Sequence, residues 1–210
     1  MDDILKTTSV CALPFVQSVT GSTHAKKFLL AHCWRYTKSR SKDGGSMARK
    51  VFFSFHYKRD VRRVSQVRNS WIIRPGGEAQ PFLDKAEWES IKRTGSAAIE
   101  KWIDTQLSGT SVTVVLIGAE TSERPWVRHE IKRSYELKKG MLGIYLNNIK
   151  DPLTGTDTRG KNPFDYWNIT VDNNRVPMSK LYPTYDWVQN DGYKNLSAWI
   201  EQAALAAGRR

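Results

Sequence analysis

From residue 51 onward, the apolar residues fall into two alternating kinds of run. Val51-Phe-Phe-Ser-Phe55, Val112-Thr-Val-Val-Leu-Ile-Gly118 and Met141-Leu-Gly-Ile-Tyr-Leu146 are short and almost continuously apolar. A strand covered on both faces reads this way, so each run predicts a buried strand of a parallel sheet. Between them the apolar residues recur at helical spacing. Val61, Val64 and Val67 lead to Trp71 and predict a helix over 58–70. Trp88, Ile91, Ala98, Ile99, Trp102 and Ile103 form one stripe over 86–107, with Asp84 placed to cap it. A further helix is expected over 126–139 with Gly140 as its C-cap. A last one over 194–207 is carried by Leu196, Trp199, Ile200, Ala203 and Ala204. The segment 72–85 contains Pro75-Gly-Gly77 and Pro81 and should be irregular, with a short strand at 81–83. Residues 150–180, with Gly155, Gly160, Asn162-Pro163 and the pair Tyr166-Trp167, read as a long loop. Strand–helix alternation of this kind implies a three-layer α/β domain around a central parallel sheet.

Before residue 47 there is no sustained period, and the segment ends in Ser39-Arg-Ser-Lys-Asp-Gly-Gly-Ser46, a linker-like composition. Only a short helix over 26–36 is signalled there. The expected organisation is a loosely ordered extension over 1–46 and a main domain over 47–210, with Met47 as a natural start.

Composition adds bounds. A hydrophobic fraction of 40% and eight tryptophans exclude a disordered chain. Cys11 and Cys33 do not make a disulfide framework or a zinc site, and the histidines at 24, 32, 56 and 129 show no metal-binding spacing, so no metal is expected. The apolar runs are far shorter than a membrane span, and Phe28-Leu-Leu-Ala31 is too brief for a signal peptide. A cytoplasmic chain without a membrane partner is the expectation. The net charge of +12 points to an anionic partner, and Arg59, Arg62, Arg63 and Arg68 give the first helix a dense basic face. No named nucleic-acid module accompanies that charge, which leaves nucleic-acid binding a secondary reading.

Gly-x-Gly-x-x-Gly, Walker and Gly-x-Ser-x-Gly motifs are all missing. The informative segment is Trp126-Val-Arg-His-Glu-Ile131, which follows the strand 112–118 across the loop Ala119–Pro125. An acid early in a helix after a parallel strand lies at the sheet rim, where open α/β sheets bind ligands. Glu130 shares a helix face with Trp126, four residues before it. A ring beside a half-buried carboxylate suits a cationic or sugar-bearing substrate. His129 points about 100° away and forms no catalytic couple with Glu130.

Phe52-Phe-Ser-Phe-His-Tyr57, a charged helix, a strand ending Leu116-Ile-Gly118, Thr121 and Trp126-Val-x-x-Glu-Ile131 together resemble the TIR-like domains of Thoeris anti-phage defence proteins. The resemblance covers about 47–150. It implies a flavodoxin-like TIR fold that cleaves NAD as substrate rather than holding it as cofactor. It further implies release of nicotinamide and a cyclic ADP-ribose-type signal that activates a partner effector. A phage-derived trigger and self-assembly belong to the same expectation. The family's catalytic glutamate falls on Glu130 and the tryptophan one turn earlier on Trp126. The residues lining the nicotinamide and ribose pocket fall on Phe55, His56 and Tyr57, and Asp84 falls near the loop that closes the site. Many TIR NADases carry basic residues at the positions of His56 and Tyr57, so the chain departs from them there. The rival reading is a non-catalytic TIR-like scaffold, or a module sensing phage components or nucleic acid, because a fold does not fix a function.

Overall fold

The three apolar runs become three neighbouring strands. In the computed structural model, which describes residues 49–79, 90–91 and 93–209, β1 (Arg49–Ser54) pairs in parallel with β3 (Val112–Ile117). Strand β3 pairs in parallel with β4 (Gly140–Tyr145), setting Phe53 opposite Val114 and Val114 opposite Leu142. All six residues of β3 and all six of β4 are buried. Two short strands complete the sheet, β2 (Gly77–Ala79) beside β1 and β7 (Thr184–Asp186) beside β4. The order is β2-β1-β3-β4-β7 and every pairing is parallel.

Alternation along the strands sorts side chains into two layers. Val51, Phe53, Val112, Val114, Leu116, Leu142 and Ile144 meet Val64, Val67 and Trp71 of α1 (Tyr57–Ile72) and Leu196, Trp199 and Ile200 of α4 (Gly192–Ala206). On the other face Phe52 packs with Ile99, Ile103 and Leu107 of α2 (Ser96–Leu107). There too Val115, Ile117 and Met141 pack with Val127 and Ile131 of α3 (Pro125–Glu136). This is the expected three-layer, flavodoxin-like arrangement. Its strand order reverses between β1 and β3, and open α/β sheets bind their ligands at such a point, here beyond Ser54 and Gly118.

Several local expectations are corrected. Gly140 is the first residue of β4 rather than a helix cap. The turn after α3 is made by Lys138, at φ 52°, while a Cβ on Gly140 would lie 2.4 Å from the Ala203 carbonyl oxygen. Glycine is needed there because α4 approaches closely, not because a helix ends. The stripe expected over 86–107 is broken by Gly95, at φ 96°, and α2 starts at Ser96. Strand β2 forms within the segment read as irregular. The long loop holds an antiparallel hairpin, β5 (Asn168–Val171) with β6 (Asn174–Pro177), and two 3₁₀ turns, Pro163–Tyr166 and Met178–Lys180. The extension over 1–46, the short strand over 81–83 and Asp84 lie outside the described residues.

Candidate active site

Ser54 ends β1 with its side chain on the same face as Phe52, toward the layer of α2 and α3. Glu130 stands in the second turn of α3. Ser54 Oγ donates to Glu130 Oε2 at 2.5 Å across 76 positions of sequence. The helix that presents Glu130 is held firmly. Val127 and Ile131 are buried on either side of it. Ser134 Oγ donates to the Glu130 carbonyl at 2.7 Å and lies 2.8 Å from Thr113 Oγ1. Thr121, fully buried, shapes the connection from β3, its Oγ1 accepting from the Gly118 amide at 2.9 Å.

Glu130 is half-buried, so solvent still reaches the residue. Even so, burial pushes its carboxyl up to about 8, while the Ser54 hydrogen bond pulls the other way. Strongly perturbed acids cluster at functional sites, which makes Glu130 a candidate.

Phe55, His56, Tyr57 and Trp126, the other expected site residues among those described, gather at the same edge with different surroundings. Phe55 and His56 form the β1–α1 connection and Tyr57 opens α1; all three are half-buried, with the Phe55 and Tyr57 rings 6.0 Å apart. Phe55 leans on the core shared by α1 and α4, the layer opposite Glu130. His56 Nδ1 is buried without a hydrogen-bond partner, and the Glu120 carboxylate stands 3.8 Å away. Burial, and then the Arg124 guanidinium, hold the imidazole below its usual range, which favours its neutral form. The Trp126 ring packs on the Phe52, Ile99, Ile103 and Leu107 cluster and meets His129 edge-on at 5.9 Å. It is a wall built into the core rather than a free stacking platform.

Three further residues take part in shaping this edge. Asp60, in the first turn of α1, is 1% exposed, and neither carboxylate oxygen has a hydrogen-bond partner. Burial raises it to about 6, with Arg63 opposing. Its carboxylate rests on Gly118, where a Cβ would lie 2.2 Å from Asp60 Oδ2. From the other side Gly160 presses on Gly118, since a Cβ there would lie 2.0 Å from the Gly118 carbonyl oxygen. Two glycines therefore let α1 and the loop over 156–162 both close onto the end of β3. The visible hint for Ser54 was a single polar residue within the otherwise apolar run Val51–Phe55. The sequence carried no comparable hint for Asp60.

The basic face of α1 is largely engaged inside the molecule. Arg59 pairs with Asp157 at 2.9 Å and Glu120 at 3.0 Å, and Arg62 with Asp151 at 2.6 Å. Arg63, 3% exposed, donates to the Ile149 carbonyl at 3.1 Å and the Gly155 carbonyl at 2.9 Å. These arginines clamp the loop after β4, which weakens the case for an open nucleic-acid stripe. Among the described residues, no helix is long and apolar enough to cross a membrane, and no His, Cys, Asp and Glu cluster could hold a metal ion.

The chain is similar in sequence to known proteins. The family described as Thoeris protein ThsB, TIR-like domain, matches residues 52–151, a range containing Ser54, Asp60, Gly118 and Glu130. A protein of Bacillus cereus (strain MSX-D12), ThsB1, named as a candidate cyclic ADP-D-ribose synthase, is 35% identical over 191 residues. That alignment covers 73% of this chain and 100% of the relative.

Proposed function

The chain belongs to the Thoeris ThsB TIR-like family, and we propose that it is an anti-phage defence enzyme that splits NAD between nicotinamide and ribose, with Glu130 as the catalytic carboxylate. The observation that carries this reading is the Ser54–Glu130 pair at the carboxyl ends of the strands, where the strand order reverses. The name of the Bacillus relative supports a cyclic ADP-ribose-type product.

The chemistry needs few groups. The bond from ribose C1′ to the pyridinium nitrogen breaks, and its electron pair leaves with neutral nicotinamide. Positive charge grows on C1′ and the ring oxygen, and one fixed carboxylate at that position stabilises it. The pyridinium leaves without a general acid, so the carboxylate pair of ordinary glycosidases is not required. A nucleophilic atom of the same ADP-ribose then bonds to C1′ and loses its proton, closing a ring. Attack by water would give the open product instead.

In the unliganded protein the Glu130 carboxyl, raised to about 8, is mostly protonated near neutrality. A bound pyridinium is an opposite charge and draws it to the anionic form, with loss of one proton. A neutral His56 suits the same site, because an imidazolium would repel that cation. Phe55, Tyr57 and Trp126 supply apolar walls; Asp84, which the resemblance assigns to the loop that closes the site, lies outside the described residues. NAD is the substrate, and the signal made from it activates a partner effector after a phage-derived trigger.

The test is to incubate the purified protein with NAD and clarified lysate from phage-infected cells and to follow nicotinamide. Release above that of lysate alone supports the enzyme. Its absence across triggering lysates, with self-association or partner binding retained, favours the scaffold.

A further inference from the structure

At the amino edge of the sheet, opposite the end that bears Glu130, a cavity of about 430 Å³ opens among the start of β1, the α2–β3 turn, the residues before β4 and the chain after α4. Its lining carries three cations, Arg49, Lys139 and Arg209, and no acid. Arg49 is already matched, its guanidinium bonded to both carboxylate oxygens of Glu201 at 2.9 and 2.8 Å. The other two are not. Lys139 is only 6% exposed, and its Nζ donates to the Thr110 carbonyl at 2.5 Å. Arg209 donates to the Leu137 carbonyl at 2.8 Å. Among the described residues neither has a carboxylate within ion-pair distance.

Holding an ammonium out of water without a counter-ion is costly. The strain shows in Lys139, which burial and then the Arg209 charge bring down to about 8. An ammonium carries three donors and the Thr110 carbonyl takes one of them. An anion between Lys139 and Arg209 would fill the remaining donors and remove the repulsion between the two cations. Ser108 and Ser111 place further polar groups in the lining. The volume exceeds that of a free inorganic anion and lies in the range of small-ligand sites.

We propose that this cavity binds the phosphate group of a small phosphorylated ligand, with Lys139 and Arg209 as its cationic contacts. The site is separate from the NAD reading, so the failure of one leaves the other standing. Free phosphate and a nucleotide phosphate share this chemistry, and the test separates them.

The full chain is heated with increasing inorganic phosphate, adenosine monophosphate or adenosine, and with potassium chloride at matched ionic strength. Saturable stabilisation by phosphate or by adenosine monophosphate, and not by adenosine or chloride, is expected. Response to both, each weakened in Lys139→Met, assigns the site to a phosphate on a carrier, and a Lys139-dependent response to phosphate alone assigns it to the free ion. Lys139→Met removes a desolvated charge but leaves the Thr110 carbonyl without its donor, so the two effects oppose and its own Tm should stay near the wild type, while phosphate affinity falls at least about tenfold. Arg209→Met, at an exposed position, should weaken binding in the same direction. A stabilisation no greater than that by chloride overturns the proposal. So does a phosphate response unchanged in both variants, or an adenosine monophosphate response as strong in Lys139→Met as in the wild type with none to phosphate.

Discussion

Ser54 Oγ lies 2.5 Å from Glu130 Oε2, joining the carboxyl end of the first strand to the helix after the third. The hydroxyl donates, so it favours the ionised carboxyl, against the larger effect of burial. Removing it should push Glu130 further above about 8. For Ser54→Ala the limb of kcat/KM that rises with pH should move upward, since the reaction needs the anion. A shift of about one unit lowers the rate at neutral pH by roughly tenfold. Ser54→Thr, which keeps the hydroxyl, should restore the profile. Nicotinamide release measured across pH checks this, and an unmoved profile in Ser54→Ala shows the contact to be incidental.

Glu130 also sets a stability difference of known sign. Its folded pKa is raised, so between the ordinary 4.5 and about 8 the native state holds a proton that the unfolded chain has released. Stability is therefore lost as pH climbs through that window. Glu130→Gln cannot ionise and escapes the loss. Its stability should match the wild type at the acid end and exceed it at the alkaline end, by about 2 kcal/mol for a half-buried carboxyl. Thermal denaturation across the window is the measurement. Asp60, raised to about 6, contributes equally to both proteins and drops out of the difference.

Gly160→Ala should open the far wall of the site. The new Cβ would fall 2.0 Å from the Gly118 carbonyl, a backbone atom that cannot rotate away. A loss of about 1–3 kcal/mol is expected from overpacking of this kind. Nicotinamide release should fall with it, because the loop over 156–162 and the turn leading to α3 must both shift. A neutral Tm with full activity would mean that the loop yields freely.

Arg63→Met tests the clamp on the loop after β4. The substitution keeps much of the stem but leaves the Ile149 and Gly155 carbonyls without their donors. The expected cost is about 2–4 kcal/mol. Arg63→Lys should recover only part of it, because one ammonium cannot span the forked contacts of a guanidinium. Comparison of denaturation midpoints decides.

Much of this edge was legible before any coordinates. The strands over 51–55, 112–118 and 141–146 announce themselves because both of their faces are covered, and Glu130 follows from a carboxylate placed after such a strand. Strand β7 did not, because Thr184-Tyr-Asp186 is short, mixed in polarity and preceded by Pro183. Gly140 misled because a glycine after a helix usually caps it, whereas here it admits the backbone of Ala203. The basic face of α1 looked like a ligand surface because its acids, Asp151 and Asp157, lie about ninety to a hundred positions away. Nothing local distinguishes Asp60 from an ordinary acid of a first helical turn. Its burial depends on Gly118 and Gly160 meeting in space, which no local pattern records.

The central claim, that Glu130 is the group on which NAD cleavage depends, is tested most directly in cells. Cultures producing the wild type or Glu130→Gln at equal levels are infected with phage. Extracts are then assayed by mass spectrometry for nicotinamide and for a product of cyclic ADP-ribose mass. The wild type should form both after infection, and Glu130→Gln should form at least roughly a hundredfold less, the scale of losing one fixed electrostatic contact to the transition state. Equal product from the two proteins would contradict the account and leave Glu130 a structural residue.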